Sequence, residues 1–568
     1  MTEKRLSVAV LWHMHQPDYV DGVSGRPAMP WVRLHAQFSY YDMVRLVLEE
    51  PRAKAVFNLV PSLLRQLDDA AAGRTEDDFL VLSRRSPETL EREEKIRLLR
   101  DFFSFNHARR FVELPRLREL WELRGGDGRV MDPEVVTRFE DQDILDLQVG
   151  FNLAWCGHTL REDPRIARLF VKGRDFSEEE KRELLQVQRD FLGEILPAYA
   201  EAAGLGQVEL SCTPLTHPIL PLLCDLAVAR EAKPDLLLPA TSFLHPGDAW
   251  FHVRTALDEM ERYCGVRPRG MWPAEGSISE RALRVFETEG LDWVATDQGV
   301  LANSWRKAGA AAPAAAHFQP YRWGGSGAPA VFFRDTGLSD NLGFRYQSWP
   351  AADAVADLLY HLDGIRHELP ADGEYLVPLI LDGENPWECY PDNGIDFLQR
   401  LYAGIADADH LAWTTFSEFL DRDGVDPAIL PSVCAGSWIR GDFTTWIGHP
   451  EKNRGWEYLA GVRADFERKL AEAGALIDVK LADGTTVTAP DPARVGPGGR
   501  DALSRAMTAL ANAESSDWLW WYGDDNPTDF GREFDALFRR HLANVSTLLG
   551  DDPDPSLAVP VPGRGGQA

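Results

Sequence analysis

The chain lacks several features that would announce a function. Its six cysteines (Cys156, Cys212, Cys224, Cys264, Cys389 and Cys434), spread over 568 residues, form no CxxC pair. That argues against a zinc knuckle or a thioredoxin-type redox motif and leaves buried free thiols. No apolar run approaches the roughly 20 residues that span a bilayer. The stretch before His13 is too short for a signal-peptide core and has no small-residue cleavage site, so the expectation is a soluble, cytoplasmic protein. Positive charge is scarce: 60 Lys and Arg face 89 Asp and Glu, a formal charge of −29. Such a surface would repel a nucleic-acid backbone or an anionic membrane. No GxGxxG follows a predicted strand, so a dinucleotide-binding sheet has no fingerprint here.

What is present is alternation. Seven short apolar runs read as strands: Arg5–Trp12, Lys54–Leu59, Gln207–Ser211, Arg267–Trp272, Leu291–Thr296, Ala330–Arg334 and Glu374–Leu381. Helical patterns separate them. Ser277-Ile278-Ser279-Glu280 reads as a capping box before an apolar stripe, and Ala351–Leu362 carries Val355, Leu358, Leu359 and Leu362 at helical spacing. About seven strand–helix units imply an α/β fold with a parallel sheet closed, or nearly closed, into a barrel; a flat doubly wound sheet is the alternative. Residues 1–420 are assigned to this barrel, with a helical insertion at about 87–202 that includes Ser177–Leu196. Residues 421–550 read as a mainly α-helical C-terminal domain, with helices at Trp456–Ala473 and Asp501–Glu514 and one candidate hairpin between them. Residues 551–568, rich in Pro and Gly, read as a disordered tail.

Parallel barrels carry their chemistry at the C-terminal ends of the strands. Here those ends offer His13, His15 and Gln16; Asn58; Thr213 and His217, with Glu209 inside the third run; Trp272 and Glu275; Asp297; Asp335; and Asp382. Two carboxylates stand apart. Glu275 lies on a tight turn in WPAEGS, and Asp382 ends the most apolar run, in LDGENPWE. A helix cap and an Asp-Gly turn would account for them singly. As a pair, each near a Trp, they suit glycoside cleavage, which needs one carboxyl at the anomeric carbon and another to protonate the leaving oxygen.

The 18 tryptophans supply more aromatic face than a core needs. Trp387 is expected to shape the cleft wall, and Trp446 and one of Trp520 and Trp521 to serve as sugar platforms; most of the other C-terminal tryptophans are assigned to a seam between domains. His35, in WVRLHAQ, is placed near the entrance, and Arg334 with Asp335 is expected to brace the barrel mouth. Two rivals stay open. His13 and His15, alternate residues on one strand, could hold a metal with His217, Asp297 and Asp335, as in a zinc-dependent barrel hydrolase. A non-catalytic glucan-binding protein would keep the aromatics without needing both carboxylates.

Five motifs in order, HQP (His15–Pro17), GQVEL (Gly206–Leu210), WPAEGS (Trp272–Ser277), LDGENPWE (Leu381–Glu388) and GSWIRGDFTTWIG (Gly436–Gly448), resemble the five sequence regions of glycoside hydrolase family 57, especially its amylopullulanase-like and α-amylase-like members. The resemblance runs from about residue 8 to Gly523. It implies an incomplete (β/α)₇ barrel followed by a helical domain, and a retaining mechanism on α-glucans or maltooligosaccharides that uses neither cofactor nor metal. It makes Glu275 the nucleophile and Asp382 the acid/base, puts His15 and Glu209 in or beside the sugar site, and adds Asp442 and Trp446 of the fifth region to the substrate contacts. Pro273-Ala274-Glu275 stands where Pro-Glu is more usual, a spacing of the amylopullulanase-like branch. Transfer by a 4-α-glucanotransferase is the alternative to hydrolysis. Asp382, protonated when it first acts, is expected to be held so by the Glu275 charge and the apolar strand behind it.

Overall fold

The computed structural model describes residues 5–126, 132–313, 315–370, 373–384, 386–495 and 497–562, apart from the side chains of 497–499. Each of the seven apolar runs forms a strand: β1 (Leu6–Met14), β2 (Ala55–Leu59), β3 (Val208–Cys212), β4 (Gly270–Met271), β5 (Trp293–Asp297), β6 (Ala330–Arg334) and β7 (Leu376–Asp382). They pair in parallel in the order β6-β5-β4-β3-β2-β1-β7. Alternation sorts the side chains. Ala9, Leu11, Val56, Trp293, Phe332 and Ile380 share an inner core floored by Phe416 and Phe419, whereas Val8, Val10, Trp12 and Met14 belong to the outer core under the helices.

The ring is incomplete between β6 and β7, where the strands share no ladder. Three side-chain and loop contacts bridge the seam: Asp335 N–H donates to the Pro378 carbonyl (3.0 Å), Ser339 Oγ accepts from Ile380 N–H (3.1 Å), and Arg334 Nε donates to the Ile380 carbonyl (2.6 Å). A residue's N–H and C=O leave a strand on the same side, so the N–H that Pro378 lacks is one that would have faced the seam. Arg334 therefore does brace the mouth, but through Asp297 (3.4 Å) and Asp340 rather than through Asp335. Asp335 caps the helix Thr336–Asp340 and lies 3.2 Å from His317.

The helical insertion begins earlier than expected, at Asp78–Arg84, and ends with Glu178–Gly204, where Ser177 and Glu180 form a capping box. The helix after Glu275 is Glu280–Thr288, and its cap is Ser279 rather than Ser277. Ser277 belongs to the turn before it, next to the bridge between Ile278 and Gly436. Beyond the barrel, helices Pro450–Glu472, Pro497–Ala513 and Gly531–Leu548 accompany an antiparallel hairpin, Leu476–Lys480 with Thr486–Pro490. Residues 551–562 are placed rather than disordered, because Leu557 and Val561 are buried and Val561 N–H donates to Asp535 (3.0 Å); residues 563–568 lie outside the described residues. No helix among the described residues is long and apolar enough to cross a membrane.

Candidate active site

Glu275 sits on a single helical turn between β4 and the helix Glu280–Thr288, with backbone angles φ 58° and ψ 25°. A residue with a Cβ pays for that left-handed conformation, and such strain concentrates where a side chain must be aimed. Gly276, also at positive φ, follows it, and a Cβ there would lie 2.5 Å from the Trp272 ring. The Glu275 carboxyl is gripped from the far end of the chain: Trp438 Nε1 donates to Oε2 (2.8 Å) and Ser516 Oγ lies 3.3 Å from Oε1. Burial, then the Asp382 charge, push its pKa up to about 8, with Asp517 adding in the same direction. The raised carboxyl is Glu275, whereas the sequence expectation put the rise on Asp382.

Asp382 ends β7 in register with His13 of β1, which is itself in register with Asn58 of β2. Asp382 and Ile380 are alternate residues, so the carboxyl stands directly above the inner core. The chain then turns away. Gly383 N–H donates to the His13 carbonyl (2.8 Å), and a Cβ at Gly383 would lie 2.7 Å from the Met14 sulfur. Glu384 follows, buried, accepting from Gln16 Nε2 (2.7 Å) and from the Tyr40 hydroxyl, with its pKa pushed by burial up to about 8.

Three imidazoles line the floor. His15 stacks on His217 at 3.8 Å between ring centres and 16° between planes, and His13 Nε2 lies 3.1 Å from His217 Nε2. Burial lowers His13 to about 3 and holds His217 well below its ordinary value, so both are neutral near pH 7. His15 Nε2 lies 2.9 Å from Asp517. One nitrogen of His15, one of His217 and one Asp517 oxygen fall within 4.8 Å of one another, the only such trio among the described residues. Rings stacked face to face aim their lone pairs along parallel planes, however, whereas a tetrahedral metal needs them to converge. Asp297 and Asp335, the other ligands considered for a metal, are engaged elsewhere as helix caps.

These groups open into one cavity of about 870 Å³. The barrel lines it with Glu275, Asp382, His13, His15, Gln16, His217 and Trp272, the N-terminal helices with Trp31 and His35, the insertion with Phe103 and Trp155, and the C-terminal region with Asp517, Trp520, Trp521 and Phe530. His35 is buried against Trp155 (5.3 Å between rings), its pKa lowered to about 4 by burial.

Glu209, Asp297, Trp387, Asp442 and Trp446, expected from the sequence to contact substrate, do not line the cavity. Glu209 lies two residues below Ser211, deep in the barrel, where it accepts from Trp293 Nε1 (2.8 Å) and Ser417 N–H (3.1 Å). Asp297 accepts from Gly299 N–H (2.7 Å) as a helix cap and from Thr336 (2.8 Å). Trp387 is a core residue behind the loop, packed edge-on against Trp12, with its indole N–H donated to the Gly383 carbonyl (2.7 Å). Asp442 closes its own turn by accepting from Thr444 N–H (2.8 Å). Trp446 is buried behind Trp520, 6.0 Å between rings. Conversely, sequence reasoning missed Ser516 and Asp517. The only signal for them was their place at the start of SDWLWWYGDD, and the strand-end rule does not reach a helix 242 residues from Glu275.

A family model, Glycosyl hydrolase family 57, matches residues 9–429. Among solved structures, a GH57-type branching enzyme from Pyrococcus horikoshii aligns at 16% identity and TM-score 0.59, over 98% of this chain and 93% of that one. A novel α-amylase from Thermotoga maritima aligns at 13% identity and TM-score 0.58, over 98% and 95% of the two chains. No curated protein sequence matches the chain. With the family model matching residues 9–429, most of the chain, the protein belongs to glycosyl hydrolase family 57.

Proposed function

We propose that the protein cleaves or transfers α-glucosidic linkages of α-glucans through a covalent glycosyl-enzyme, with Glu275 as nucleophile and Asp382 as general acid/base. One observation carries this: two carboxyls, one on the turn after β4 and one at the end of β7, coupled in charge, open into a single cavity walled by aromatic rings. The family supports the reaction class, and the substrate is the one suggested by the names of the similar branching enzyme and α-amylase.

In the first step Asp382 gives its proton to the glycosidic oxygen while Glu275 attacks the anomeric carbon; the C–O bond to the leaving sugar breaks and an ester to Glu275 forms. Trp438 holds Oε2, so Oε1, with only the longer Ser516 contact, is the attacking oxygen. In the second step the Asp382 carboxylate takes a proton from water, or from the hydroxyl of a second glucan, and that oxygen displaces Glu275. Hydrolysis and transfer differ only in this acceptor. His35, Gln16 and the neutral His13 and His217 contribute uncharged hydrogen-bonding groups for sugar hydroxyls, while Trp272 and Trp520 supply ring faces.

The test is product analysis on maltoheptaose, amylose and pullulan with wild type, E275Q and D382N, with NMR of the first-formed anomer. Retention of configuration and at least 10³-fold losses in both variants are expected, since each removes a reacting group. Inversion, or normal turnover by either variant, sinks the assignment.

A further inference from the structure

His35 is 7% exposed and lines the cavity, yet its ring is left without a hydrogen bond. Nδ1 is enclosed with no partner, and no described residue engages Nε2. A buried polar group is ordinarily paired, so one left open on a cavity points to a ligand. With Nδ1 enclosed, Nε2 is the nitrogen that faces the cavity.

The surroundings fix where that ring stands. Helix Trp31–His35 is pinned on its other face, where Arg33, two residues earlier, makes a bidentate pair with Asp77 (2.8 and 3.2 Å), the cap of helix Asp78–Arg84. A π-helical turn, Ala36–Tyr40, follows His35 directly, and such turns recur at functional sites. Trp155 of the insertion packs across the imidazole at 77° and 5.3 Å, its own indole held by donating to the Ser104 carbonyl (3.2 Å). Trp155 also meets Trp31 (6.0 Å), which meets Phe530 of the C-terminal region (5.3 Å). His35 therefore stands in an aromatic corner assembled from three parts of the chain.

That corner is separate from the reacting end. Glu275 is met by Trp438, Ser516 and His217, and Asp382 is in register with His13. One cavity of about 870 Å³ contains both ends. Its volume is near the top of the roughly 300–1,000 Å³ of sites that enclose drug-sized ligands, so it holds more than one sugar ring.

We propose that His35 is a specificity-determining residue: its Nε2 exchanges a hydrogen bond with a hydroxyl of a glucosyl unit remote from the scissile linkage. The preferred substrates are then glucan chains long enough to reach from the two carboxyls to the aromatic corner. The inference rests on the reading above for the class of substrate, and not for the roles of Glu275 and Asp382. Burial lowers the imidazole pKa to about 4, which agrees with it, because a neutral ring suits an uncharged hydroxyl.

The experiment measures kcat/KM on maltotriose and maltoheptaose for wild type, H35F and H35Q. H35F keeps a flat ring and removes the hydrogen bond, so the ratio of maltoheptaose to maltotriose falls roughly fivefold, the effect of one uncharged hydrogen bond. H35Q, which keeps an amide donor and acceptor, recovers most of that ratio. Losses of equal size on both substrates would overturn the proposal, since damage to the fold or to the reacting end does not depend on chain length. So would an unchanged ratio in both variants. If E275Q proved active, the catalytic assignment would fall while these ratios still decided the role of His35. Should neither oligosaccharide be turned over, calorimetric titration of wild type and H35F with both takes the place of kinetics. There a preference for maltoheptaose that H35F reduces supports the proposal, and equal preferences or no binding overturn it.

Discussion

Trp438 donates its indole N–H to Oε2 of Glu275 at 2.8 Å and its backbone N–H to the Glu275 carbonyl at 2.9 Å, so one residue fixes both the carboxyl and the strained turn that carries it. Trp438 in turn packs edge-on against Trp272 (5.5 Å) and beneath the Arg334 guanidinium (5.1 Å). The aim of the Glu275 carboxyl thus depends on a segment beyond the last barrel strand.

W438F keeps the ring and removes the donor. A hydrogen bond to a charged group contributes about 1.5–3 kcal/mol, so kcat should fall by roughly 10- to 100-fold. The lost bond favoured the carboxylate, so Glu275 holds its proton more tightly and the acid limb of kcat/KM moves to higher pH. Unchanged kcat with only a higher KM would show that the bond serves binding instead.

Glu384 has a folded-state pKa of about 8 against an ordinary 4.5, raised chiefly by burial. A carboxyl raised in this way stabilises the fold relative to higher pH only while protonated; its contribution is full below about 4.5 and is lost as pH rises toward 8. E384Q is uncharged throughout. The difference in Tm, E384Q minus wild type, should therefore grow between pH 5 and 8 and then level off; a flat difference would mean that Glu384 is ionised in the fold over that range.

Glu209 accepts three hydrogen bonds below the site, from Trp293 and Ser417. E209Q should cost about 1–3 kcal/mol of stability, since it leaves a buried donor facing a donor. Its kcat/KM on maltoheptaose should stay within about twofold of wild type, because transition-state contacts alone alter that ratio and Glu209 makes none. A large kinetic loss without a stability loss would return Glu209 to the sugar site.

Arg334 closes the barrel seam and covers Trp438. R334M would take the Arg334 charge from beside buried Asp297, leaving it the Gly299 and Thr336 hydrogen bonds, and would leave the Ile380 carbonyl without its Arg334 donor, a cost of about 3–5 kcal/mol by the behaviour of broken buried pairs. The urea midpoint should fall accordingly, and kcat with it, since the Trp438 support loosens. An unaltered midpoint would mean that the seam is held elsewhere.

The barrel was legible because each of its seven strands is written as an apolar run, of nearly the observed length in all but the fourth, where Arg267–Trp272 holds only the two-residue strand Gly270–Met271. Glu275 and Asp382 were legible because strand ends in a parallel barrel face one another whatever the loops do. Trp387 misled because a tryptophan near a carboxylate reads the same whether its ring faces a sugar or the core; the Gly383 turn, which swings the chain behind the loop, decides the matter. Glu209 misled because alternation says which side of a strand a residue faces, not its depth along the barrel axis.

The sequence by itself determined the parallel barrel, the helical regions that interrupt and follow it, and the two carboxyls at strand ends, since each depends on periodicities of a few residues. Only the tertiary structure decided which distant groups surround those carboxyls. Trp438, Ser516 and Asp517 reach Glu275 and His15 by packing between regions far apart in the chain, and no local pattern encodes which side chains such packing brings within hydrogen-bond range.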